Sequence, residues 1–565
     1  MITNKWGQGQ LFAFSALDGP SYFSDDFTGM LSGDRIGVRF YSKVKRELTF
    51  VNVFGKGLEF DAVTSDYICC RFPDQEKMQI IYAAQHLIIG NVAGAVIPVV
   101  FTEGIYETEK MDGAEIHDTK DGDFTALKRE GNCFAFAFGH SKEEVVALVN
   151  RGLAMNLEET AVSKLDFYKK HGMPDNHPYA DLYSKCLSVM KTQLYSPEEN
   201  FNTIWSTPDR LPHKSLWLWD SVFHALGHRH ISPTLGEDLI RAIWAHQSDN
   251  GFIPHKADVF ESTNITQPPI IAWGTWQLYQ TSGNKEFLKE SYENNKRFLN
   301  WCRDNRRVSE RELYTWNTNN DEQNNKCDES GMDNSPRFDT KDFLFAIDFS
   351  CYMANDVNYM KKIAEELENY EDVTFYQSWW NMIVADINEL LWSEEDGFYF
   401  DYNVPKQELH KVWSVASFLP IFAGVCNEAQ AKRLVEHLQD SESFDTTFPI
   451  PSISKKDATF GSDMWRGPVW INYNYMLIQG LTDYGYGELA VEILDKTIEI
   501  MNHWYQITGS IYEFYDCNNV KPPRSLYRKG TAFEPYNIDV LMQSIRDYGW
   551  SCTLLCDMLN NYYSN

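Results

Sequence analysis

Two acidic side chains lie in segments that could perturb their protonation. Glu513 lies in GSIYEFYDC, among three aromatic residues, and Asp333 lies in ESGMDNSPRF, within a long polar loop that spans 316–342. A carboxylate between aromatic rings on a turn is a candidate for a perturbed pKa, and such groups concentrate at functional sites. Long loops in compact domains are usually functional as well. A local interpretation stays open, since Asp333 and Asn334 could form a turn that leads into Pro336.

Metal binding finds little support in the sequence. The long loop is rich in Asp, Asn and Glu side chains that could bind Ca²⁺, but it lacks the DxDxDG spacing of an EF-hand. His224 and His228 lie four residues apart, but the Glu of an HExxH motif is absent between them. The sequence therefore predicts no metal site and leaves calcium binding by loop 317–339 as an open question.

Tryptophans flank polar residues in the segment TFGSDMWRGPVWINYNYML. Trp465 and Trp470 lie on either side of Arg466 and Gly467. A hydrophobic core does not need two indoles around an arginine and a glycine. These residues suit a sugar ring that stacks on an aromatic wall with polar groups at its rim.

Two more segments combine aromatic and polar residues where helices are expected to begin. In SLWLWDSVF, Asp220 follows Trp219, and its local interpretation is a helix N-cap. Gln267 precedes Pro268 and Pro269, so its backbone is held extended before a helix. Its amide could recognise a hydroxyl group or satisfy nearby backbone, and both interpretations stay open. Together with the two carboxylates, these segments indicate a carbohydrate site at helix junctions.

Composition excludes several classes of partner. Acidic residues outnumber basic ones, 80 to 51, which gives a net charge of −29 that repels nucleic acid and anionic membranes. Aromatic residues make up 15% of the chain, as in proteins with large cores or stacking surfaces for sugars. The N-terminal residues do not form a secretory signal, and the 11 cysteines show no CxxC pairs. We therefore expect a cytoplasmic protein with reduced thiols and a small carbohydrate as its partner, and the oligomeric state is left open.

The hydrophobic patterns divide the chain into three parts. Residues 1–140 alternate with period two, as in Phe134, Phe136 and Phe138, which predicts an antiparallel β-sandwich. Ser141 and Glu144 form a capping-box pattern that opens a helical linker over 141–174. Residues 175–565 are mainly helical and fit a closed barrel of helical hairpins, with an irregular bundle as the alternative. The expected helices begin near Tyr179, Asp220, Pro233, Pro269, Lys285, Thr340, Asp372, Val412, Asn427, Pro468, Gly487 and Tyr536.

The chain resembles glycoside hydrolases of family 63 and, more distantly, the trehalases of family 37. The resemblance covers about residues 175–560 and rests on WLWDSVF, NITQPP, ESGMDNSPR, MWRGPVWINYNY and IYEFYD, which occur in the expected order. It implies an (α/α)₆ barrel that often follows a β-sandwich. It also implies hydrolysis of α-glycosidic bonds with inversion of configuration and without a cofactor.

The resemblance also implies roles for individual residues. Asp333 is similar to the general acid of these enzymes and Glu513 to their general base. Residues similar to those that surround the non-reducing sugar are Trp219, Asp220, Gln267, Trp465, Gly467 and Trp470. Arg337 and Arg466 are implied as hydroxyl-binding residues or as supports of the site. Inversion requires the two carboxyl groups to lie about 6.5–9.5 Å apart.

The sequence leaves alternatives open for the substrate and for the class of reaction. The leading expectation is an inverting, exo-acting α-glucosidase on small α-linked oligosaccharides or glucosides, and the alternative is an α-mannosidase or a hydrolase of mannosylglycerate or glucosylglycerate. Met464 stands before WRGPVW, where the glycerate-releasing enzymes are expected to carry Tyr, which argues against a glycerate leaving group. An epimerase or lyase would instead use His224, His255 or Tyr512. A glycan-binding protein without activity would not need two separate carboxylates.

Overall fold

Alternating side chains build two antiparallel sheets in the N-terminal part of the chain. The structure is a computed structural model that describes residues 2–33, 36–51, 58–318, 325–530 and 543–563. The strands are β1 (Leu11–Phe12), β2 (Gly29–Leu31), β3 (Gly37–Tyr41), β4 (Lys45–Val51), β5 (Glu59–Val63), β6 (Tyr67–Arg71), β7 (Lys77–Ala84), β8 (Leu87–Asn91), β9 (Ile97–Thr102), β10 (Glu107–Met111), β11 (Ala114–Asp118), β12 (Phe124–Glu130) and β13 (Cys133–Gly139). One sheet has the order β1-β2-β3-β4-β9 and the other β10-β11-β12-β13-β8-β7-β6-β5.

Strand β13 shows why the phenylalanines alternate with small residues. Phe134, Phe136 and Phe138 point into a core shared with the five-stranded sheet, where Phe136 lies 5.7 Å from Phe40 between ring centroids. Ala135 and Ala137 point to the other face, which a helix covers closely. Both faces of the strand are therefore buried, and the two sheets pack face to face.

Two helices follow the last strand, α1 (Lys142–Ala154) and α2 (Leu157–His171). The Ser141 side chain accepts a hydrogen bond from the Glu144 amide at 3.1 Å, as the capping pattern predicts. The Glu144 carboxylate turns back to accept the amide of His140 at 2.8 Å rather than that of Ser141. Helix α1 packs on β12 and β13 and thereby covers the alanine face of the larger sheet.

The rest of the described chain is mainly helical. The helices are α3 (Ala180–Thr192), α4 (Leu218–His228), α5 (Pro233–Trp244), α6 (Ile271–Ser282), α7 (Lys285–Arg306), α8 (Ile347–Glu366), α9 (Tyr370–Leu390), α10 (Leu419–Phe422), α11 (Glu428–Leu438), α12 (Ile471–Asp483), α13 (Gly487–Thr508) and α14 (Gly549–Tyr563). Within this part, α4, α6, α8, α10, α12 and α14 contact one another in that order, and α14 also contacts α4. None of the helices in the described residues has the length and apolar character needed to cross a bilayer.

Most of the expected helix starts agree with the structure to within three residues, and two are wrong. Asn427 caps α11 in a full capping box, in which the Gln430 side chain returns to the Asn427 backbone. The helix expected near Thr340 begins only at Ile347, because the intervening strand Leu344–Phe345 pairs with Asp401–Asn403. The helix expected near Val412 is a 3₁₀ turn over Val415–Phe418 that leads into the short α10. The start expected near Tyr536 lies outside the described residues.

A cluster of four charges, three of them buried, joins the β region to the helices. Lys164 of α2 contacts Asp18 at 2.5 Å, and Lys191 of α3 contacts Asp66 at 2.7 Å and Asp18 at 3.0 Å. Asp66 lies between β5 and β6, and its side chain is 1% exposed. Although burial opposes ionisation, Lys191 and Lys164 lower the pKa of Asp66 well below its usual range.

Candidate active site

A cavity of about 220 Å³ lies where several helix-start loops meet. Four indoles line it: Trp217, Trp219, Trp470 and Trp550. The carboxylates that line it are Asp220, Asp328, Asp333 and Glu513. Cationic or imidazole side chains come from His213, His255, Arg528 and Lys529, and the remaining residues are Gln267, Asn325, Gly331, Met464 and Tyr548. The volume is below the ~300–1,000 Å³ of pockets for drug-sized ligands, so the cavity suits one small polar ring.

The start of α4 supplies one wall of the cavity. The strand Leu216–Trp217 pairs with Lys256–Ala257 and fixes the entry into the helix. Trp217 occupies the N-cap position, so the interpretation of Asp220 as the N-cap is wrong. Asp220 lies instead in the first turn, buried, and accepts a hydrogen bond from the Tyr548 hydroxyl at 3.2 Å.

The surroundings of Asp220 disfavour a negative charge on its carboxyl group in addition to that of Glu513. Burial raises the pKa of Asp220 well above its usual range, against the hydrogen bond from Tyr548, and the charge of Glu513 adds to the rise. Beside it, the Gln267 side-chain oxygen accepts the Trp219 amide at 3.3 Å. Gln267 thus satisfies backbone and also lines the cavity, which accommodates both interpretations of this residue.

Asp333 lies in a loop that is held by contacts from distant parts of the chain. Its carboxylate Oδ2 contacts the Lys529 ammonium at 2.8 Å. The next residue, Asn334, accepts the Trp465 amide at 3.0 Å with its side chain, and its carbonyl accepts Arg466 Nε at 2.8 Å. The local turn considered for Asp333 and Asn334 is present as well: the Ser335 amide donates to the Met332 carbonyl at 2.9 Å, and a 3₁₀ turn over Pro336–Phe338 follows.

Gly331 sets how closely this loop approaches the indole wall. Its φ is +71°, in the left-handed region, and a Cβ at this position would lie 2.3 Å from the Trp219 ring. Only glycine therefore lets the loop lie flat against Trp219 two residues before Asp333.

Glu513 is buried and also lines the cavity. The strands Val469–Trp470 and Phe514–Tyr515 pair antiparallel, so Glu513 lies at the edge of the Trp470 wall. Its Oε2 accepts a hydrogen bond from Arg528 Nη1. Burial raises the pKa of Glu513, while the positive charge of Arg528, and that of His213 whenever it is protonated, oppose the rise.

Four of the ten residues implied by the family resemblance do not line the cavity. Trp465 stacks flat behind Trp470, with ring centroids 3.8 Å apart, and supports the wall rather than forming it. Arg466 contacts Asn334 and Asp339 and braces the Asp333 loop. Gly467 has φ +128°, and a Cβ there would lie 2.1 Å from the Gly461 carbonyl oxygen.

Arg337 forms buried ion pairs and does not line the cavity. Its guanidinium is 1% exposed and contacts Asp348 at 2.6 Å and Asp401 at 2.8 Å, both of them buried. These contacts join the Asp333 loop to the start of α8 and to a neighbouring hairpin. The interpretation of Arg337 as a hydroxyl-binding residue is therefore wrong, and that of a support for the site agrees with its contacts.

Arg528, Lys529, His213 and Asp209 were missed by sequence reasoning. Arg528 and Lys529 are consecutive residues that contact Glu513 and Asp333 respectively. They lie in KPPRSLYRKG, where the only sequence signal is an adjacent cationic pair before a glycine in a strongly acidic chain. His213 Nδ1 lies 2.5 Å from Asp209 Oδ2, so the ring donates a hydrogen bond to that carboxylate. Asp209 and His213 are only four residues apart, but His213 reaches Arg528 across 315 residues of sequence, and Lys529 reaches Asp333 from a distant segment, so no local pattern assigns these residues to the site.

Of the three residues that an epimerase or a lyase would use, one lines the cavity and two do not. His255 lines the cavity, and burial lowers its pKa to about 4, so the imidazole is neutral. His224 is buried against Ser206, and neither it nor Tyr512 belongs to the described cavity lining. Within the described residues, no group of three His, Cys, Asp or Glu side chains is arranged to hold a metal ion. Residues 319–324 of the loop considered for calcium lie outside the description.

Comparisons with known sequences point to carbohydrate hydrolysis. A sequence model described as the mannosylglycerate hydrolase MGH1-like glycoside hydrolase domain matches residues 212–551, more than half of the chain. An uncharacterized protein of Borreliella burgdorferi is 26% identical over 48% of this chain and 56% of its own length, so the chain spans about half of that relative. A mannosylglycerate hydrolase of Thermus thermophilus is 25% identical over 53% of this chain and 88% of its own.

Solved structures share the fold. A family 63 mannosylglycerate hydrolase from another strain of Thermus thermophilus, solved with Tris, matches with a TM-score of 0.54 at 20% identity, over 66% of this chain and 99% of its own. A bacterial glucoamylase solved with acarbose matches with a TM-score of 0.60 at 11% identity, over 98% of this chain and 95% of its own. At these identities the likeness describes the fold, which is mainly helical after an antiparallel β region, as the sequence predicts.

Proposed function

The chain belongs to the mannosylglycerate hydrolase MGH1-like family of glycoside hydrolases, within family 63, and we propose that it hydrolyses small α-glycosides with inversion. The observation that carries this proposal is the meeting of Asp333 and Glu513 in one cavity walled by indoles, although they are far apart in sequence. Separated carboxylates that flank a ring-sized space are the requirement for inverting hydrolysis.

The architecture that we propose is an (α/α)₆ barrel that follows a β-sandwich. The cyclic order of contacts among α4, α6, α8, α10, α12 and α14 supports an inner ring of helices. The end of β13 at Gly139 and the start of α3 at Ala180 support domains over 1–140 and 175–565, with a helical linker over 141–174. The eleven cysteines, all described as free thiols, are in keeping with a cytoplasmic location.

In the proposed reaction Asp333 is the general acid and Glu513 the general base. Glu513 takes a proton from a water molecule, whose oxygen attacks the anomeric carbon, while Asp333 delivers a proton to the leaving oxygen. Arg528 beside Glu513 favours the charged form that a base needs. Asp333 must exchange its contact with Lys529 for a proton and the glycosidic oxygen when substrate binds, because a carboxylate without a proton cannot act as an acid.

The remaining cavity residues suit one terminal sugar. Trp219 and Trp470 supply flat apolar surface, and Asp220 and Gln267 supply polar groups at its rim. A space for about one ring favours attack on the non-reducing end rather than within a chain. We propose an α-glucoside as substrate, in line with Met464, whose side chain lines the cavity without offering a hydroxyl group.

A glycerate-bearing α-mannoside or α-glucoside is the second candidate. The family model and the Thermus relative carry the name mannosylglycerate hydrolase. A glycerate leaving group would bring a carboxylate to the side of the cavity where Lys529 contacts Asp333. This cation is the specific feature that favours the second candidate over a neutral leaving group.

A hydrolysis panel followed by proton NMR tests both the class and the substrate. The panel contains methyl α-glucoside, methyl α-mannoside, α,α-trehalose, mannosylglycerate and glucosylglycerate. We expect one or more to be cleaved, with the β-anomer of the sugar appearing before mutarotation. First appearance of the α-anomer alone would contradict inversion, except that α,α-trehalose must give equal amounts of both anomers because its leaving glucose is itself an α-anomer. An unsaturated or isomerised product would point to a lyase or an epimerase.

A further inference from the structure

Arg528 is held by more than its ion pair with Glu513. Its Nη2 lies 3.5 Å from His213 Nε2, at the outer limit of a hydrogen bond, while Nη1 contacts Glu513 Oε2. The guanidinium therefore lies between an imidazole and the carboxylate that we propose as the base, and Arg528 is buried. Its orientation decides whether Glu513 has a cation beside it.

His213 is itself fixed from three directions. Asp209 accepts the His213 backbone amide at 2.9 Å with Oδ1 and contacts the ring Nδ1 at 2.5 Å with Oδ2. The ring also packs edge-on against Trp217 at 5.3 Å and Tyr548 at 6.3 Å between centroids. Asp209 is fully buried, so the imidazole has little freedom to turn.

The contacts among Asp209, His213 and Arg528 are consistent with one assignment of hydrogen-bond donors and acceptors. A carboxylate at Nδ1 favours the tautomer with its proton on Nδ1, which leaves the Nε2 lone pair to accept a hydrogen bond from Arg528. Arg528 has donors only, so it can bridge this lone pair and the Glu513 carboxylate. The direction therefore runs from Arg528 outward to both acceptors, and from His213 to Asp209.

We propose that Asp209 and His213 are positioning residues that hold Arg528 against Glu513, so that the base keeps its charge and orientation while it activates water. This inference rests on the proposed function. The charged or titratable groups that interact with Glu513 among the described residues include Arg528, His213, Asp209, Asp220 and Tyr548, and Asp333 and Lys529 line the same cavity. Lys529 contacts Asp333, so the cation held beside Glu513 is Arg528.

Two substitutions of His213 separate positioning from simple packing. His213→Asn keeps a donor near the place of Nδ1 but removes the acceptor for Arg528, whereas His213→Gln keeps an acceptor near the place of Nε2. We expect the Asn variant to lose about 10- to 100-fold in kcat with little change in KM. We also expect the acid limb of its kcat/KM profile to move to higher pH, because burial then raises the pKa of Glu513 with less opposition from Arg528.

The Gln variant is the conservative rescue. It should retain most of kcat and an acid limb close to that of the wild type. Asp209→Asn provides a second route if His213→Asn folds poorly, because an amide at this position can donate to Nδ1 and present Nε2–H to the Arg528 cation. This variant should show the same shift of the acid limb as His213→Asn.

His230→Asn is the matched control. His230 contacts Asp557 at 2.7 Å, and the exposures of this pair, 19% and 0%, equal those of His213 and Asp209. It does not belong to the described cavity lining, so its loss should leave kcat, KM and the acid limb unchanged.

Two outcomes would overturn the inference. One is an acid limb of His213→Asn or Asp209→Asn at the wild-type pH, and the other is an equal effect of the Asn and Gln variants. Glu513→Gln measured in parallel separates these results from a failure of the proposed function. If Glu513→Gln keeps wild-type turnover, the function assigned to Glu513 fails, whereas its inactivity together with an unshifted His213→Asn variant rejects the positioning role alone.

Discussion

At the scale of single residues, the site combines two carboxylates that have opposite kinds of partner. Glu513 is buried beside Arg528, and Asp333 is partly exposed beside Lys529. Hydrolysis needs one of them charged and the other protonated at the moment of bond cleavage. The fixed guanidinium suits the group that stays charged, and the flexible lysine suits the group that must change its partner.

Substitution of either carboxylate by its amide tests these assignments. Asp333→Asn and Glu513→Gln should each lower kcat by about 10²–10⁴-fold, the scale of losing a general acid or base. The measurement is kcat on the substrate identified by NMR, with circular dichroism to establish folding. Near-wild-type turnover by either folded variant would remove that residue from the mechanism.

Sequence reasoning reached part of this site because some residues carry their signal locally. Trp219, Asp220, Gln267, Trp470, Asp333 and Glu513 stand in distinctive segments, and all of them line the cavity. Arg337 and Trp465 stand in segments just as distinctive, but their side chains point to Asp348 and Trp470. A motif identifies a segment, whereas the direction of each side chain depends on partners remote in sequence. Arg528 and His213 were missed because the contact that joins them links positions 315 residues apart.

At the scale of elements, the cavity depends on how closely the loops approach one another. The Asp333 loop reaches Trp219 through Gly331, which combines a positive φ with a contact that no Cβ can make. Helix starts such as Pro233 and Lys285 follow from capping and proline signals, so they were predictable. The start of α8 was not, because the strand that delays it pairs with a hairpin about sixty residues later.

Gly331→Ala should damage both stability and activity. A residue with a Cβ in the left-handed region costs about 1–2 kcal/mol, and the collision with Trp219 adds the cost of overpacking, about 1–3 kcal/mol. The measurements are the free energy of unfolding in urea and kcat/KM. We expect kcat/KM to fall because the loop that carries Asp333 must shift.

Gly283→Ala is the control for backbone strain. Gly283 has φ +63°, close to the +71° of Gly331, but a Cβ there would meet nothing within 4 Å. Its substitution should cost only the strain and leave kcat/KM unchanged. Equal losses of stability and activity in the two variants would contradict the role of the Trp219 contact.

At the scale of the whole molecule, the β region and the helices are joined by buried charges. Asp18 and Asp66 come from the β region, while Lys164 and Lys191 come from two successive helices. Removing Asp66 would leave two buried lysines that share the single carboxylate of Asp18, so one positive charge would lose its compensation. The cluster thus couples the stability of the β region to that of the helical region.

Asp66→Asn should lower stability in a way that depends on pH. The folded-state pKa of Asp66 is depressed, so its contribution is present above the unfolded value near 4 and is lost as pH falls. We expect a loss of about 3–5 kcal/mol near pH 7 that shrinks progressively below pH 4. Thermal unfolding of the variant and the wild type from pH 3 to pH 8 measures the difference.

Asp166→Asn provides the comparison on the same helix as Lys164. Asp166 contacts Lys169 at 3.0 Å, but the two side chains are 61% and 69% exposed. Water screens such a pair, so its loss should have little effect at any pH. A constant difference between Asp66→Asn and the wild type across the pH range would exclude a contribution from the ionised carboxylate.

The adjacency of Arg528 and Lys529 constrains how this protein can diverge. Because consecutive side chains serve different carboxylates, deleting one residue between Glu513 and Arg528 would bring Lys529 to the place of Arg528 and upset both pairings together. A point substitution alters one pairing and spares the other. Homologues with this cationic dipeptide should therefore tolerate exchanges within the segment but keep its spacing from Glu513 free of insertions and deletions.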